Sequence, residues 1–127
     1  MSDGKGIVLV VDDEKSNLEV LISILSSEYT IYITKNGTAG LEMANKYMPN
    51  IILLDVLMPD MNGFDVLVEL KASEKTRNIP VIFITGLDSN EDKKKGLDLG
   101  AVDYIPKPFN AEIVQTKVRQ HILQSGG

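Results

Sequence analysis

Five short apolar runs, each followed by a segment of helical period, constrain this chain to one architecture. Ile7–Val11 (IVLVV), Ile51–Leu54 and Val81–Thr85 (VIFIT) are continuous and mostly β-branched. Such runs mark strands buried on both faces, as in a parallel sheet covered by helices. Tyr29–Thr34 (YTIYIT) and Val102–Ile105 complete the set. The intervening segments predict helices. Ser16–Ser27 carries Leu18, Leu21, Ile22 and Leu25 at helical spacing. Thr38–Tyr47 puts Leu41, Ala44 and, just beyond, Met48 on one face before Pro49. Phe64–Ala72 turns Phe64, Leu67 and Val68 inward. Glu91–Leu99 is a weak, polar helix with Gly96 inside and Gly100 as its C-cap. Ala111–Leu123 keeps Val114, Val118 and Ile122 in register.

Five βα units imply a parallel sheet with helices on both faces. Right-handed crossovers leave few ways to order its strands. The expectation is a flavodoxin-like, doubly wound α/β fold with strand order 2-1-3-4-5. The first and third strands then lie side by side at the topological switch point, where open α/β sheets bind ligands. With 127 residues the chain fits one domain. We expect a tail over residues 1–6, the domain over 7–124 and a tail over 125–127.

Net charge narrows the function classes. At −5, with 18 acidic and 13 basic residues, the chain lacks the basic face that direct nucleic-acid binding needs. Without cysteine there is neither disulfide nor thiolate chemistry. No apolar run approaches the ~20 residues of a membrane span, and MSDGKG carries no signal-peptide core. The cytoplasm is the expected compartment. Neither GxGxxG nor GxxxxGK[ST] occurs among the ten glycines.

The carboxyl ends of the strands carry the chemistry. Asp12 and Asp13 follow the first strand and Asp55 follows the third. On neighbouring strands, three carboxylates converge, and clustered like charges need a compensating cation. Hard oxygen ligands suit a divalent ion such as Mg²⁺. A carboxylate beside that ion can serve as a nucleophile towards phosphorus. Thr85 ends the fourth strand and Lys107 follows the fifth, offering a hydroxyl and an ammonium to a phosphoryl group. Gly86 leaves the approach open. Each residue also has a plainer reading. A strand-ending Asp is often a turn residue or helix cap. Thr85 alone is a β-former, and Lys107 alone is a surface charge. His121, the single histidine, reads as surface or edge of core and not catalytic. Lys93-Lys94-Lys95 reads as a solvated helix face, and Met58 and Met61 as packing.

Four motifs in order, VVDDE (Val10–Glu14), LLDVLMPDMNGFDVL (Leu53–Leu67), VIFITG (Val81–Gly86) and GAVDYIPKPF (Gly100–Phe109), resemble the receiver domain of two-component response regulators. The likeness runs from about Ile7 to Ile122. It implies that Asp55 is the phosphoacceptor. Asp13 would bind Mg²⁺ directly, Asp12 through metal-bound water, and the backbone carbonyl of Leu57 would complete the protein ligands. Thr85 corresponds to the switch hydroxyl, Tyr104 to the switch aromatic and Lys107 to the lysine beside the phosphoryl group. Pro59 and Gly63 match the loop after the acceptor. The resemblance further implies a cis Lys107–Pro108 bond.

The function so implied is a phospho-accepting signalling domain (CheY-like). A sensor histidine kinase or phosphotransfer protein donates to Asp55, and the surface of the fourth helix, fifth strand and last helix changes its partner preference or forms a homodimer. The domain acts on itself and is not an enzyme with turnover on a small substrate. Receivers occur alone or within larger regulators and hybrid kinases, and both readings stand. Two other classes stand further off. A Mg²⁺-dependent aspartyl-phosphate phosphatase usually has an acidic residue where Leu57 lies. A flavodoxin-like FMN carrier needs a phosphate-binding loop where DDE lies.

Overall fold

A computed structural model describes residues 6–86 and 90–126. Ten elements alternate: β1 (Gly6–Val11), α1 (Lys15–Leu25), β2 (Tyr29–Thr34), α2 (Gly37–Tyr47), β3 (Ile51–Asp55), α3 (Gly63–Ala72), β4 (Val81–Thr85), α4 (Asn90–Leu99), β5 (Asp103–Pro106) and α5 (Ala111–Gly126). The sheet order is β2-β1-β3-β4-β5, with every pairing parallel. The expected topology is the observed one.

The sheet divides the core in two. Leu9, Val11, Ile52, Leu54, Val81 and Phe83 face α2 and α3. Val8, Val10, Ile51, Leu53, Ile82 and Ile84 face α1 and α5. Alternate residues along one strand thus feed opposite layers, which is why the central strands carry no polar position until they end. Each fully buried Leu or Ile contributes roughly 1.5–3 kcal/mol relative to exposure.

Local differences from the expected pattern have simple causes. Val68 lies outward, 46% exposed, while Val66 and Leu70 join Phe64 and Leu67 in the core. Two inward stripes fit a ten-residue helix, and the apolar type at residue 68 does not report its angle. Met48 does not extend the buried face of α2. It is the C-cap, with φ +48°, and is exposed. β5 starts at Asp103, and the exposed Val102 precedes it, donating its N–H to the Val81 carbonyl. α5 continues to Gly126, so residues 125 and 126 are helical. Of the expected N-terminal tail, only Gly6 lies among the described residues, and it begins β1. Gly127 lies outside them.

The weak helix α4 is closed firmly at its end. Gly100 adopts φ +116°, its N–H bonds the Leu97 carbonyl, and Ala101 N–H bonds the Gly96 carbonyl. This is a Schellman arrangement, and it needs the left-handed residue that glycine supplies. The Lys107–Pro108 bond is cis.

Candidate functional site

β1, β3, β4 and the segment after β5 deliver the site from one edge of the sheet. Val11 is in register with Leu54, and Asp55 with Ile84, so Asp12 and Asp55 leave adjacent strands at the same level. Each of Asp12, Asp13 and Asp55 offers an oxygen, all within 4.8 Å of one another. Asp13 is exposed, whereas Asp12 and Asp55 are buried, at 0% and 4% exposure. Lys107 N–H donates to the Thr85 carbonyl at 3.0 Å, which ties the lysine segment to the end of β4. From there Nζ reaches Asp55 Oδ1 at 3.2 Å and Asp12 Oδ2 at 3.3 Å. Lys107 is therefore no solvated surface charge.

The two oxygens of Asp12 do different work. Oδ1 accepts the Glu14 N–H at 2.9 Å, a turn that leads into α1. Oδ2 is buried and meets no well-aligned hydrogen-bond donor among the described residues, its nearest positive charge being Lys107 Nζ at 3.3 Å. Buried oxygens are normally satisfied. An unsatisfied carboxylate oxygen among two further carboxylates is a donor set suited to a hard divalent cation. The plainer role of Asp12 as a turn residue and its role at the site thus coexist in one side chain.

The electrostatics follow from burial. Desolvation pushes the Asp55 carboxyl up to about 6, the charges of Asp12 and Asp13 push the same way, and Lys107 works against them. For Lys107, burial disfavours the charge, but Asp55 and Asp12 outweigh it and hold the ammonium above the ordinary lysine range. The site opens as a cleft of about 320 Å³ lined by Glu14, Asp55, Leu57, Thr85, Gly86 and Lys107. A Cβ on Gly86 would meet nothing within 4 Å among the described residues. At Gly63 a Cβ would collide with the Asp55 carbonyl oxygen, so the chain after the acceptor returns against β3 only with glycine there. The Gly63 N–H donates to the Val56 carbonyl at 2.7 Å.

Tyr104 lies outside this cluster, on β5. Its ring is flanked by Lys93 Nζ from α4 at 4.7 Å and Lys117 Nζ from α5 at 5.2 Å. A crevice of about 10 Å³ separates Phe83, Thr85, Leu97 and Tyr104. Lys95 lies over the Phe64 ring at 4.6 Å, and Lys94 pairs with Asp98. The lysine run is thus divided between ring contacts and solvent, where a uniform solvated face was expected.

Two arrangements escaped the sequence. Asp60 accepts the N–H groups of Gly37 and Thr38, both at 3.1 Å. Its partners lie over twenty residues away, and nothing local announces them. Asp103 binds Lys117 and His121, both at 3.0 Å, and His121 is buried at the edge of the core. Burial opposes the Asp103 charge, yet bonds from His121, Lys117 and the Tyr104 N–H hold its carboxyl below the usual range.

An open α/β sheet with an acidic, lysine-backed cleft at its switch point defines a class of domain built to receive an anionic group at a carboxylate. The family model of the response regulator receiver domain matches residues 8–119, and the chain belongs to that family. It is 42% identical over 113 residues to response regulator PleD of Caulobacter vibrioides, covering 88% of this chain and 25% of PleD. It is 36% identical over 115 residues to a probable cyclic di-GMP phosphodiesterase of Vibrio cholerae, covering 91% of this chain and 26% of that protein. The chain therefore spans about a quarter of these two relatives. Among solved structures, the CheY-like receiver domain protein of Methanospirillum hungatei superposes with TM-score 0.89 at 27% identity, covering 97% of this chain and 98% of that one. The receiver domain of sensor histidine kinase PA1611 from Pseudomonas aeruginosa, with a magnesium ion coordinated in its active-site cleft, gives 0.86 at 27% identity, covering 94% and 98%.

Proposed function

We propose that the chain takes a phosphoryl group onto Asp55 from a phosphohistidine of a sensor kinase or phosphotransfer protein, with Mg²⁺, and thereby changes the surface formed by α4, β5 and α5. The observation that carries this reading is the buried, unsatisfied Asp12 Oδ2 beside Asp55 and Lys107. Asp12, Asp13, Asp55 and the Leu57 carbonyl would hold the ion. When bound, Mg²⁺ supplies positive charge that offsets the clustered carboxylates and the phosphoryl oxygens.

An ionised Asp55 oxygen attacks phosphorus, the phosphorus–nitrogen bond of the donor breaks, and the imidazole nitrogen leaves with the bonding pair. Lys107 Nζ, already at hydrogen-bond distance, stabilises charge on the phosphoryl oxygens. Thr85 lines the same cleft and can donate its hydroxyl to a phosphoryl oxygen. Tyr104 then takes up the space near Thr85, which biases a two-state equilibrium of the α4–β5–α5 surface. Leu57, apolar and 64% exposed, offers no second acid or base beside Asp55, which disfavours a phosphatase. The activity is confined to the domain itself, over residues 7–124. No described helix is long and apolar enough to cross a membrane, and we place the domain in the cytoplasm, where a kinase donor would reach it. The output belongs to whatever partner or further domain reads the changed surface.

Intact-protein mass spectrometry with acetyl phosphate tests the assignment. The wild type gains one phosphoryl mass only with Mg²⁺, and Asp55→Asn gains none. Phosphoryl mass on Asp55→Asn would overturn it.

A further inference from the structure

The loop from Val56 to Asn62 carries Leu57 past the cleft, and its middle is fastened to a different part of the molecule. Asp60 Oδ1 accepts the Gly37 N–H at 3.1 Å, and Oδ2 accepts both the Thr38 N–H and the Thr38 hydroxyl at 3.1 Å. Asn36 Oδ1 accepts the Ala39 N–H at 2.8 Å, and the Asn36 carbonyl accepts the Gly40 N–H at 3.0 Å. The first turn of α2 therefore has two caps of different origin. Asn36 is the ordinary N-cap and belongs to the helix's own approach. Asp60 comes from the β3–α3 loop and satisfies the two donors that Asn36 leaves over.

The neighbouring side chains fit the same seam. A Cβ on Gly37 would lie 2.5 Å from Met61 Cγ and 2.8 Å from Val66 Cγ2. The missing side chain lets Met61 settle on the helix start next to Asp60. The helix start is thus shaped to hold the loop by a carboxylate clamp and an apolar contact side by side. A negative charge at this end of a helix is also favoured by the helix dipole.

We propose that Asp60 is a positioning residue for cation binding: by clamping the β3–α3 loop to the first turn of α2 it holds the Leu57 carbonyl at the acidic cleft. The inference rests on the reading that Leu57 and the three aspartates carry the ion. A clamp three residues from a ligating carbonyl restricts how far that carbonyl wanders, and outer-shell groups that orient ligands typically govern metal affinity 10–100-fold.

The test is a set of Mg²⁺ titrations on the full chain, each paired with a denaturant unfolding curve. Asp60→Ala weakens Mg²⁺ binding about tenfold. Asp60→Asn, which keeps one acceptor oxygen, recovers part of that loss. Asn36→Ala removes a bond from the same helical turn with no tie to the loop; it lowers stability about as much as Asp60→Ala but leaves Mg²⁺ affinity at the wild-type value. Wild-type affinity in Asp60→Ala overturns the proposal, and so does an equal loss in Asn36→Ala, because helix stability would then account for the effect. Asp13→Asn guards the underlying reading. If Asp13→Asn binds Mg²⁺ like the wild type, the metal assignment itself fails. If Asp13→Asn loses affinity and Asp60→Ala keeps it, only the clamp fails.

Discussion

Lys107 Nζ sits 3.2 Å from Asp55 Oδ1, although the two residues are 52 positions apart in the chain. The pair exists because β3 and β4 are neighbours and the Lys107 N–H is bonded to the end of β4. The ammonium keeps a buried carboxylate closer to ionisation than burial alone would allow.

Removing that ammonium has two effects of the same sign. In Lys107→Ala the Asp55 carboxyl, at about 6 in the wild type, rises further. Phosphoryl uptake from acetyl phosphate falls about 100-fold, the scale for loss of one charge-stabilising donor. Carboxyl NMR titration and the rate of mass gain measure the two. An unchanged Asp55 titration would refute the electrostatic account.

Asp55 also imposes a pH dependence on folding. Its folded value, about 6, lies above the unfolded value near 3.8. Between those values the folded state holds a proton that the unfolded chain has lost, so stability falls as pH rises from about 4 to about 6. Asp55→Asn removes this slope and is more stable than the wild type at pH 7 by about 1–3 kcal/mol. Saturating Mg²⁺ favours the ionised carboxyl and abolishes the difference. Urea unfolding at pH 4, 5, 6 and 7 measures it, and equal slopes for both proteins would refute the assignment of a raised carboxyl to Asp55.

Two glycines at the site differ in what alanine would cost. At Gly63 the new methyl meets the Asp55 carbonyl oxygen and lies 3.0 Å from both the Val56 Cα and the Phe83 ring. Gly63→Ala destabilises by about 2–3 kcal/mol. At Gly86 the methyl meets nothing within 4 Å among the described residues, and Gly86→Ala changes stability by less than about 0.5 kcal/mol. Thermal unfolding separates the two.

The surface change is visible in amide exchange. With Mg²⁺ and beryllofluoride as a phosphoryl mimic, protection changes in α4 and β5, while β1 and β3 keep theirs. α4 starts from low local stability, because its face is polar and Gly96 is its buried residue. Identical protection of α4 and β5 in both states would rule out the proposed switch, even with phosphorylation intact.

Much of this was legible in the sequence, for identifiable reasons. The continuous runs of β1, β3 and β4 announced strands buried on both faces, and the strand order they imply brings Asp12, Asp13 and Asp55 together. The four receiver motifs carried the family, and with it the residue roles proposed above. What stayed hidden depended on angle or distance. Nothing in FDVLVELKA says that Val68 faces water while Val66 does not. Asp60 reads as one more polar loop residue until its partners on α2 are seen. His121 gives no sign of Asp103 on the neighbouring strand. Cap and ion-pair partners far apart in sequence are set by packing, and no local periodicity encodes them.

The two-layered core has one further consequence, which concerns how a message crosses the molecule. The central strands form a wall of buried side chains, with α4 bordering one room and α5 the other. Lys117 reaches round the open end of that wall: rooted on α5, it bonds the Tyr104 carbonyl at 2.8 Å and Asp103 at 3.0 Å, and lies by the Tyr104 ring that Lys93 of α4 also touches. Under the proposed switch, the Tyr104 ring, touched by Lys93 of α4 and by Lys117 of α5, gives the two helices a shared contact at the rim of β5.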